Sequence, residues 1–190
     1  MEFAFSSDHE MLRQSVRDFA ENVLGPGVVD RDEKEYYDPA TFKAMADLGL
    51  MGIPFEEKWG GADMGMIAYA LAVEEIARVD PSAADTLSAH VSLAAFPIRM
   101  FGTEHQKEKY LIPMATGEKH GAFALTEPNA GSDALGMTTK AELDGNQYVL
   151  NGRKIFITNG AAADVYIVFA RTGPKELGSK AFSAFIVEKG

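Results

Sequence analysis

Apolar positions along the first 117 residues recur at helical spacing. Leu12, Val16, Phe19 and Val23 follow one another at intervals of four, three and four, which places them on one side of a helix. Ser7 with Glu10 predicts a capping box at its start, hydroxyl and carboxylate each satisfying a free backbone amide. Gly25-Pro26-Gly27 ends it. Asp38-Pro39 predicts a second start, an N-cap and a first-turn proline, with Phe42, Met45 and Leu48 as the apolar stripe and Gly49 as the stop. Residues 64–79 predict a third helix through Ile67, Leu71 and Ile76, with Glu74 and Glu75 facing solvent, as Glu56 and Glu57 do earlier. Asp80-Pro81 repeats the cap and opens a segment to Met100 that is apolar nearly all round, the pattern of a buried helix. Thr103 with Gln106 predicts a further capping box, for a helix that runs through Tyr110 and Leu111, bends at Pro113 and stops at Gly117.

Beyond Gly117 the period changes. Residues 122–125, 139–143, 147–150, 153–158, 164–171 and 180–188 predict short strands rich in Val, Ile, Tyr and Phe. Asp144-Gly145-Asn146 supplies a tight turn, and Asn151-Gly152 is a strong two-residue hairpin signal. A polar loop covers residues 172–180. Helices followed by strands, without βαβ alternation, predict an α+β chain. It has an all-α helical domain over residues 1–117 and an antiparallel β-domain over 118–190 that is incomplete. No Gly-x-Gly-x-x-Gly opens a helix and no Gly-Lys-Ser loop is present, so a Rossmann fold and a phosphate loop are not expected.

Composition narrows the function classes. Eighteen Lys and Arg against 28 Asp and Glu give a net charge of −10, the opposite of a nucleic-acid binder. With 46% apolar and 24% charged residues the chain resembles ordinary globular proteins. The absence of cysteine excludes disulfides and thiol chemistry and suggests a cytoplasmic protein. Acidic Glu2, Asp8 and Glu10 precede the first basic residues, Arg13 and Arg17, which is not the start of a secretory signal. The uncharged run from Thr86 to Ile98 is shorter than the ~18 residues of a membrane span. His9, His90, His105 and His120 are far apart along the chain and lack the i, i+4 spacing of a zinc helix, so no metal site is expected.

Two segments carry candidate chemistry. Leu125-Thr126-Glu127-Pro128-Asn129-Ala130-Gly131-Ser132-Asp133 sets free amides, hydroxyls and carboxylates on a backbone shaped by proline and glycine. Ile155-Phe156-Ile157-Thr158-Asn159-Gly160 reads as a strand in which alternation puts Phe156 and Thr158 on one face. A ring and a hydroxyl side by side suit a planar heteroaromatic ligand such as a flavin. They also suit an ordinary sheet, with a core phenylalanine, a cross-strand threonine and a turn, and spacing alone favours that reading. Glu127 fits a catalytic carboxylate or a turn-stabilising one, and His90 a hydrogen-bonded interior residue.

The same residues resemble the acyl-CoA dehydrogenase family. Gly121 to Asp133 looks like its signature loop and Asn151 to Gly160 like its second flavin-contacting strand, in the family's order; Pro54 to Gly61 and Phe101 to Gly117 resemble its helical domain. The resemblance implies FAD bound at Phe123, Leu125, Thr126, Gly131, Ser132, Phe156, Ile157 and Thr158, with Ser132 also near the acyl-CoA thioester arm. Phe123 and Phe156 stand where many relatives carry Tyr or Trp, so no hydrogen bond from those side chains carries over. It further implies removal of an α-proton by a glutamate and transfer of a β-hydride to flavin, giving a 2-enoyl-CoA. Electrons then pass to an electron-transferring flavoprotein, and the assembled enzyme is a homotetramer. By the same likeness the glutamate base lies beyond Gly190, in a carboxy-terminal helical bundle absent from this chain, so no catalytic residue is assigned within it. Leu87 to Leu93 is similar to short-chain, butyryl-type bacterial members. An acyl-CoA oxidase of the same fold, or a non-catalytic short subunit or fragment, are the alternatives.

Overall fold

The structure, a computed structural model, describes residues 4–190. The helical layer begins with α1 (Ser7–Phe19). Its N-cap is Ser6, not Ser7: the Ser6 hydroxyl accepts from the His9 amide at 3.3 Å. The helix then widens into a π-helical turn over Ala20–Leu24. That turn shifts the buried face, so Val16, Ala20 and Leu24 are buried while Val23 of the predicted stripe is exposed. A short α2 (Val28–Glu33), which no sequence signal announced, leads to α3 (Pro39–Asp47), capped by the Asp38 carboxylate as expected. Next come α4 (Gly65–Ala77) and α5 (Pro81–Ser88), the latter capped by Asp80. The rod continues through a π-helical turn over Ala89–Ala95 into α6 (Phe96–Phe101). The predicted capping box of Thr103 and Gln106 opens α7 (Glu104–Gln106), and another wide turn, Lys107–Leu111, precedes α8 (Ile112–Ala115).

Each of the three wide turns lies just before a proline: Pro26, Pro97 and Pro113. Proline cannot donate to the helix, and its ring presses on the carbonyl four residues back; an i→i+5 turn removes both conflicts without breaking the rod. The bend expected at Pro113 takes this form. No helix among the described residues is long and apolar enough to cross a membrane.

The sheet contains β1 (Gly121–Ala124), β2 (Lys140–Asp144), β3 (Gln147–Asn151), β4 (Val165–Arg171) and β5 (Phe182–Glu188). The α+β class holds, but the sheet is mixed and not antiparallel. β4 is central, with β5 antiparallel along one edge. On its other edge β1 pairs in parallel over Val165–Val168, and β2 joins in parallel at Arg171. Local hairpins, such as β2 with β3, are antiparallel by construction. The chain from β1, however, returns to β4 only after that hairpin and two loops, and a crossover of such length permits a parallel return. Val165, Ile167 and Phe169 alternate onto the face that meets the helices, alongside Phe123 and Ile186, and join Val91, Ala94 and Ile98 in one core.

Residues 153–158 form no strand. Asn151-Gly152 is the end of β3 rather than a hairpin turn. Gly152 crosses Thr139 so closely that an added Cβ would lie 2.7 Å from the Thr139 Cα; glycine serves approach here, not turning.

The helical layer closes on a buried carboxylate. Glu75 of α4 does not face solvent: it is 0% exposed and accepts from Arg17 Nε and Nη2 (2.9 and 2.8 Å), Arg13 Nε (2.8 Å) and Arg78 Nη1 (2.7 Å). Arg17 does most to hold its pKa well below the carboxylate range, against the opposing effect of burial. Glu56 likewise is half-buried and paired with Arg99 at 2.8 Å.

The two layers meet at a pair of histidines that tertiary structure brings to 5.7 Å between ring centroids. His90 Nε2 donates to the Met114 carbonyl (2.9 Å), and its Nδ1 accepts from the Gly121 amide (3.0 Å). With both nitrogens so engaged the ring is neutral, and the tautomer follows from its partners. His120 stacks on Phe42 at 3.9 Å and contacts the Tyr37 hydroxyl at 3.3 Å. Burial lowers both imidazoles to about 4.

Two outcomes follow for stability. Replacing Glu75 with Gln leaves three guanidinium groups around a neutral amide; because their outer faces reach water, unfolding in urea should become easier by about 2–3 kcal/mol. For the histidines, the unfolded chain takes up protons below about pH 6.5 while the folded one does so only near pH 4. Folded-state stability is therefore greatest above pH 6.5 and falls as the pH drops toward 4. In the His90→Gln variant the fall in urea midpoint between pH 7 and pH 5 should be about half that of the unsubstituted protein, since one of two equivalent protons has been removed.

Candidate functional site

β1 enters the sheet at a fixed place. Gly121 lies where a Cβ would come 2.7 Å from that of Ala94, so only glycine allows the strand to start against the π-helical turn carrying His90. The neighbouring His120 amide donates to the Asp164 carboxylate at 2.8 Å, which ties the start of β1 to the residue before β4. After Ala124 the chain leaves the sheet. The Thr126 carbonyl accepts from the Ile155 amide at 2.9 Å, so the two motif segments run side by side. Glu127 and Ala130 exchange both backbone hydrogen bonds (3.0 and 3.1 Å) around Pro128-Asn129, a tight turn.

Glu127 is the anchor of this region. It is 4% exposed and accepts from the Thr138 amide (2.6 Å), the Thr138 hydroxyl (2.8 Å), the Thr139 amide (3.0 Å) and Lys154 Nζ (2.9 Å). Burial alone would raise its pKa, but bonds from Thr139, Thr138 and Lys154 outweigh it and hold the carboxyl well below the usual range. A general base needs a pKa near the working pH and a free lone pair for the substrate proton. Glu127 has neither, so its role is structural. Lys154 also donates to the Leu125 carbonyl at 2.9 Å and so pins both segments at once.

Phe156 follows in the left-handed backbone region at φ +55° and is 89% exposed. A bulky residue held there carries strain of about 1–2 kcal/mol, and a phenyl ring in water adds to the cost of the arrangement. Thr158 starts the next turn. Its hydroxyl donates to the Asp85 carboxylate of α5 at 3.1 Å, and Asn159 Nδ2 donates to the carbonyls of Thr86 (3.0 Å) and Gly121 (3.2 Å). The strand alternation expected to set Phe156 beside Thr158 is therefore replaced by a strained turn.

The structure thus joins Leu125 and Thr126 to the segment of Phe156, Ile157 and Thr158 through Lys154 and Ile155. Phe123 is half-buried and packs on Phe169 at 5.1 Å between centroids, within the core face of the sheet. Gly131 and Ser132 are exposed beyond the Glu127–Ala130 turn, with no hydrogen bond to the Thr126–Ile155 pair. Asp85, Lys154 and Asn159 are contacts that the sequence analysis did not identify. Their partners lie 27 to 73 positions away, and no local spacing encodes such pairs.

Comparison with known proteins places the chain. The family description "Acyl-CoA dehydrogenase, N-terminal domain" matches residues 6–118, and "Acyl-CoA dehydrogenase, middle domain" matches residues 122–190. The short-chain specific acyl-CoA dehydrogenase of Clostridium acetobutylicum is 48% identical over 190 residues, covering 100% of this chain and 50% of that protein. A chain solved in work on the electron transferring flavoprotein of Acidaminococcus fermentans superposes with a TM-score of 0.97 at 49% identity, over 100% of this chain and 50% of its own. The acyl-CoA dehydrogenase of Bacillus anthracis, solved in complex with FAD, superposes with a TM-score of 0.87 at 42% identity, over 97% of this chain and 32% of its own. The chain spans about half the length of the curated relatives it matches. By both of its matched domains and by its similarity to these proteins, the chain belongs to the acyl-CoA dehydrogenase family.

Proposed function

We propose that this chain is the flavin-receiving half of a short-chain acyl-CoA dehydrogenase. Residues 1–117 form its helical domain and residues 118–190 the start of its flavin-contacting β-domain. The observation that carries the reading is Phe156: an aromatic ring held in a strained backbone and exposed to water, next to Ile155, whose amide donates to the Thr126 carbonyl, and two residues before Thr158. Strain concentrates where binding repays it. The side chains fit an isoalloxazine, with an apolar face from Phe156 and Ile157 and the hydroxyl oxygens of Thr126 and Thr158 for its edge.

When bound, FAD would accept the β-hydride of an acyl-CoA whose α-proton goes to a base, leaving a 2-enoyl-CoA and two electrons for a partner. The residues of this chain bind and orient. Thr126 and Thr158 fix the ring's edge, Phe156 excludes water from one face, and Glu127 with Lys154 keeps the two segments in register. Leu125, Gly131 and Ser132 complete the loop, Ser132 toward the thioester arm, while Phe123 supports it from the core. No base is assigned among these residues; Glu127 is excluded by its four donors. The relative of known structure from work on the electron transferring flavoprotein supports such a flavoprotein as electron acceptor. A cytoplasmic homotetramer completes the proposal.

Phe156 gives a test that separates binding from folding. Glycine at this position removes both the ring and the left-handed strain. Phe156→Gly should therefore leave the flavin-free protein as stable as before, or more stable by about 1 kcal/mol, yet weaken FAD binding about tenfold. Flavin fluorescence titration and urea unfolding of the same samples read the two effects. Unchanged FAD affinity would overturn the proposal.

A further inference from the structure

The turn carrying Thr158 is fastened to the helical domain twice, in two different ways. Asn159 Nδ2 grips main-chain carbonyls on α5 and β1, at Thr86 and Gly121. The Tyr166 hydroxyl closes the far end of the turn on the carbonyls of Gly160 (2.9 Å) and Ala163 (3.0 Å). These bonds all act on the backbone of the turn and its neighbours. The Thr158–Asp85 bond at 3.1 Å joins two side chains and commits the only proton of the Thr158 hydroxyl. A hydroxyl has one donor and two lone pairs, whereas a carboxylate only accepts. Thr158 can then offer nothing but lone pairs to any other neighbour. Asp85 itself is exposed on α5 and forms no salt bridge among the described residues, so its charge is not offset by a cation of this chain.

Resting on the flavin placement above, we propose that Asp85 is a positioning residue that tunes the redox preference of the site, by turning the Thr158 hydroxyl into a hydrogen-bond acceptor and placing a negative charge behind it. The two effects oppose each other. The reactive edge of an oxidised isoalloxazine presents acceptors, which a proton-committed hydroxyl cannot serve; the reduced ring gains an N–H, which the same hydroxyl receives. The polarity of the bond therefore favours the reduced form. The carboxylate charge, at one residue's remove, disfavours the negative charge that reduction adds.

Two substitutions separate the effects in the flavin-loaded protein. Asp85→Asn keeps an oxygen that accepts from Thr158 and removes the charge. It should raise the affinity ratio for reduced over oxidised FAD about tenfold, a midpoint potential higher by about 30 mV for a two-electron couple. Asp85→Ala also releases the Thr158 proton to serve the oxidised ring, so its potential should lie below that of Asp85→Asn. Spectroelectrochemical titration measures all three proteins. A potential for Asp85→Asn at or below the unsubstituted value overturns the inference, as does an Asp85→Ala potential at or above that of Asp85→Asn. A lowered melting temperature with unchanged potentials does the same, because it leaves the contact a purely structural one. Thr158→Ala tells the two readings apart. If it shifts the potential while the Asp85 variants do not, the Asp85 inference alone fails; if it changes neither FAD affinity nor potential, the flavin placement fails and takes this inference with it.

Discussion

The joint between the two layers rests on one neutral imidazole. His90 accepts from the first amide of β1 and donates to the last turn of the helical layer, and it does so inside a π-helical turn that Pro97 makes necessary. A charged ring there would lose its acceptor nitrogen and sit in a site without water, so burial and function of the ring as a two-ended link are the same fact. Everything downstream inherits its position from this link. Gly121 fits against Ala94, β4 pairs alongside β1, and the segment Leu125–Glu127 leaves the sheet at a defined point.

Two buried carboxylates extend the frame on either side of that joint. Glu75 gathers arginines from α1 and from the C-terminal cap of α4 and closes the helical layer. Glu127 gathers amides, a hydroxyl and a lysine and closes the loop beneath the site. In both, the negative charge is tolerated because every lone-pair direction finds a donor, and in both this satisfaction removes the group from proton chemistry. A glutamate in a polar loop invites a catalytic assignment; its partners decide against it. The exposed and strained group in this region is a phenylalanine, which has no proton to transfer.

Much of the architecture was legible in advance because its signals are local. Caps at Asp38, Asp80 and Thr103 depend on a side chain reaching an amide two or three residues away, and the β2–β3 hairpin on a turn of adjacent residues. Elsewhere a local pattern has two physical meanings. Ile155-Phe156-Ile157-Thr158 has the period of a strand, yet its backbone turns left-handed at Phe156. Asn151-Gly152 has the composition of a hairpin turn, yet the glycine is there to clear Thr139. Glu75 has the look of a surface charge because its arginines on α1 are 58 and 62 positions away. The two motif segments stand out in the sequence, whereas their meeting through Lys154 and Ile155 depends on the fold.

By itself, then, the sequence determined the division into helices and strands and where most elements begin, since periodicity, capping and composition act over a few residues. Tertiary structure alone decided the parallel pairing of β1 with β4, the partners of each buried charge, the neutrality of His90 and the tie between Thr158 and Asp85. These depend on distances between residues remote in the chain, and on the desolvation that packing imposes, and neither quantity exists until the chain has folded.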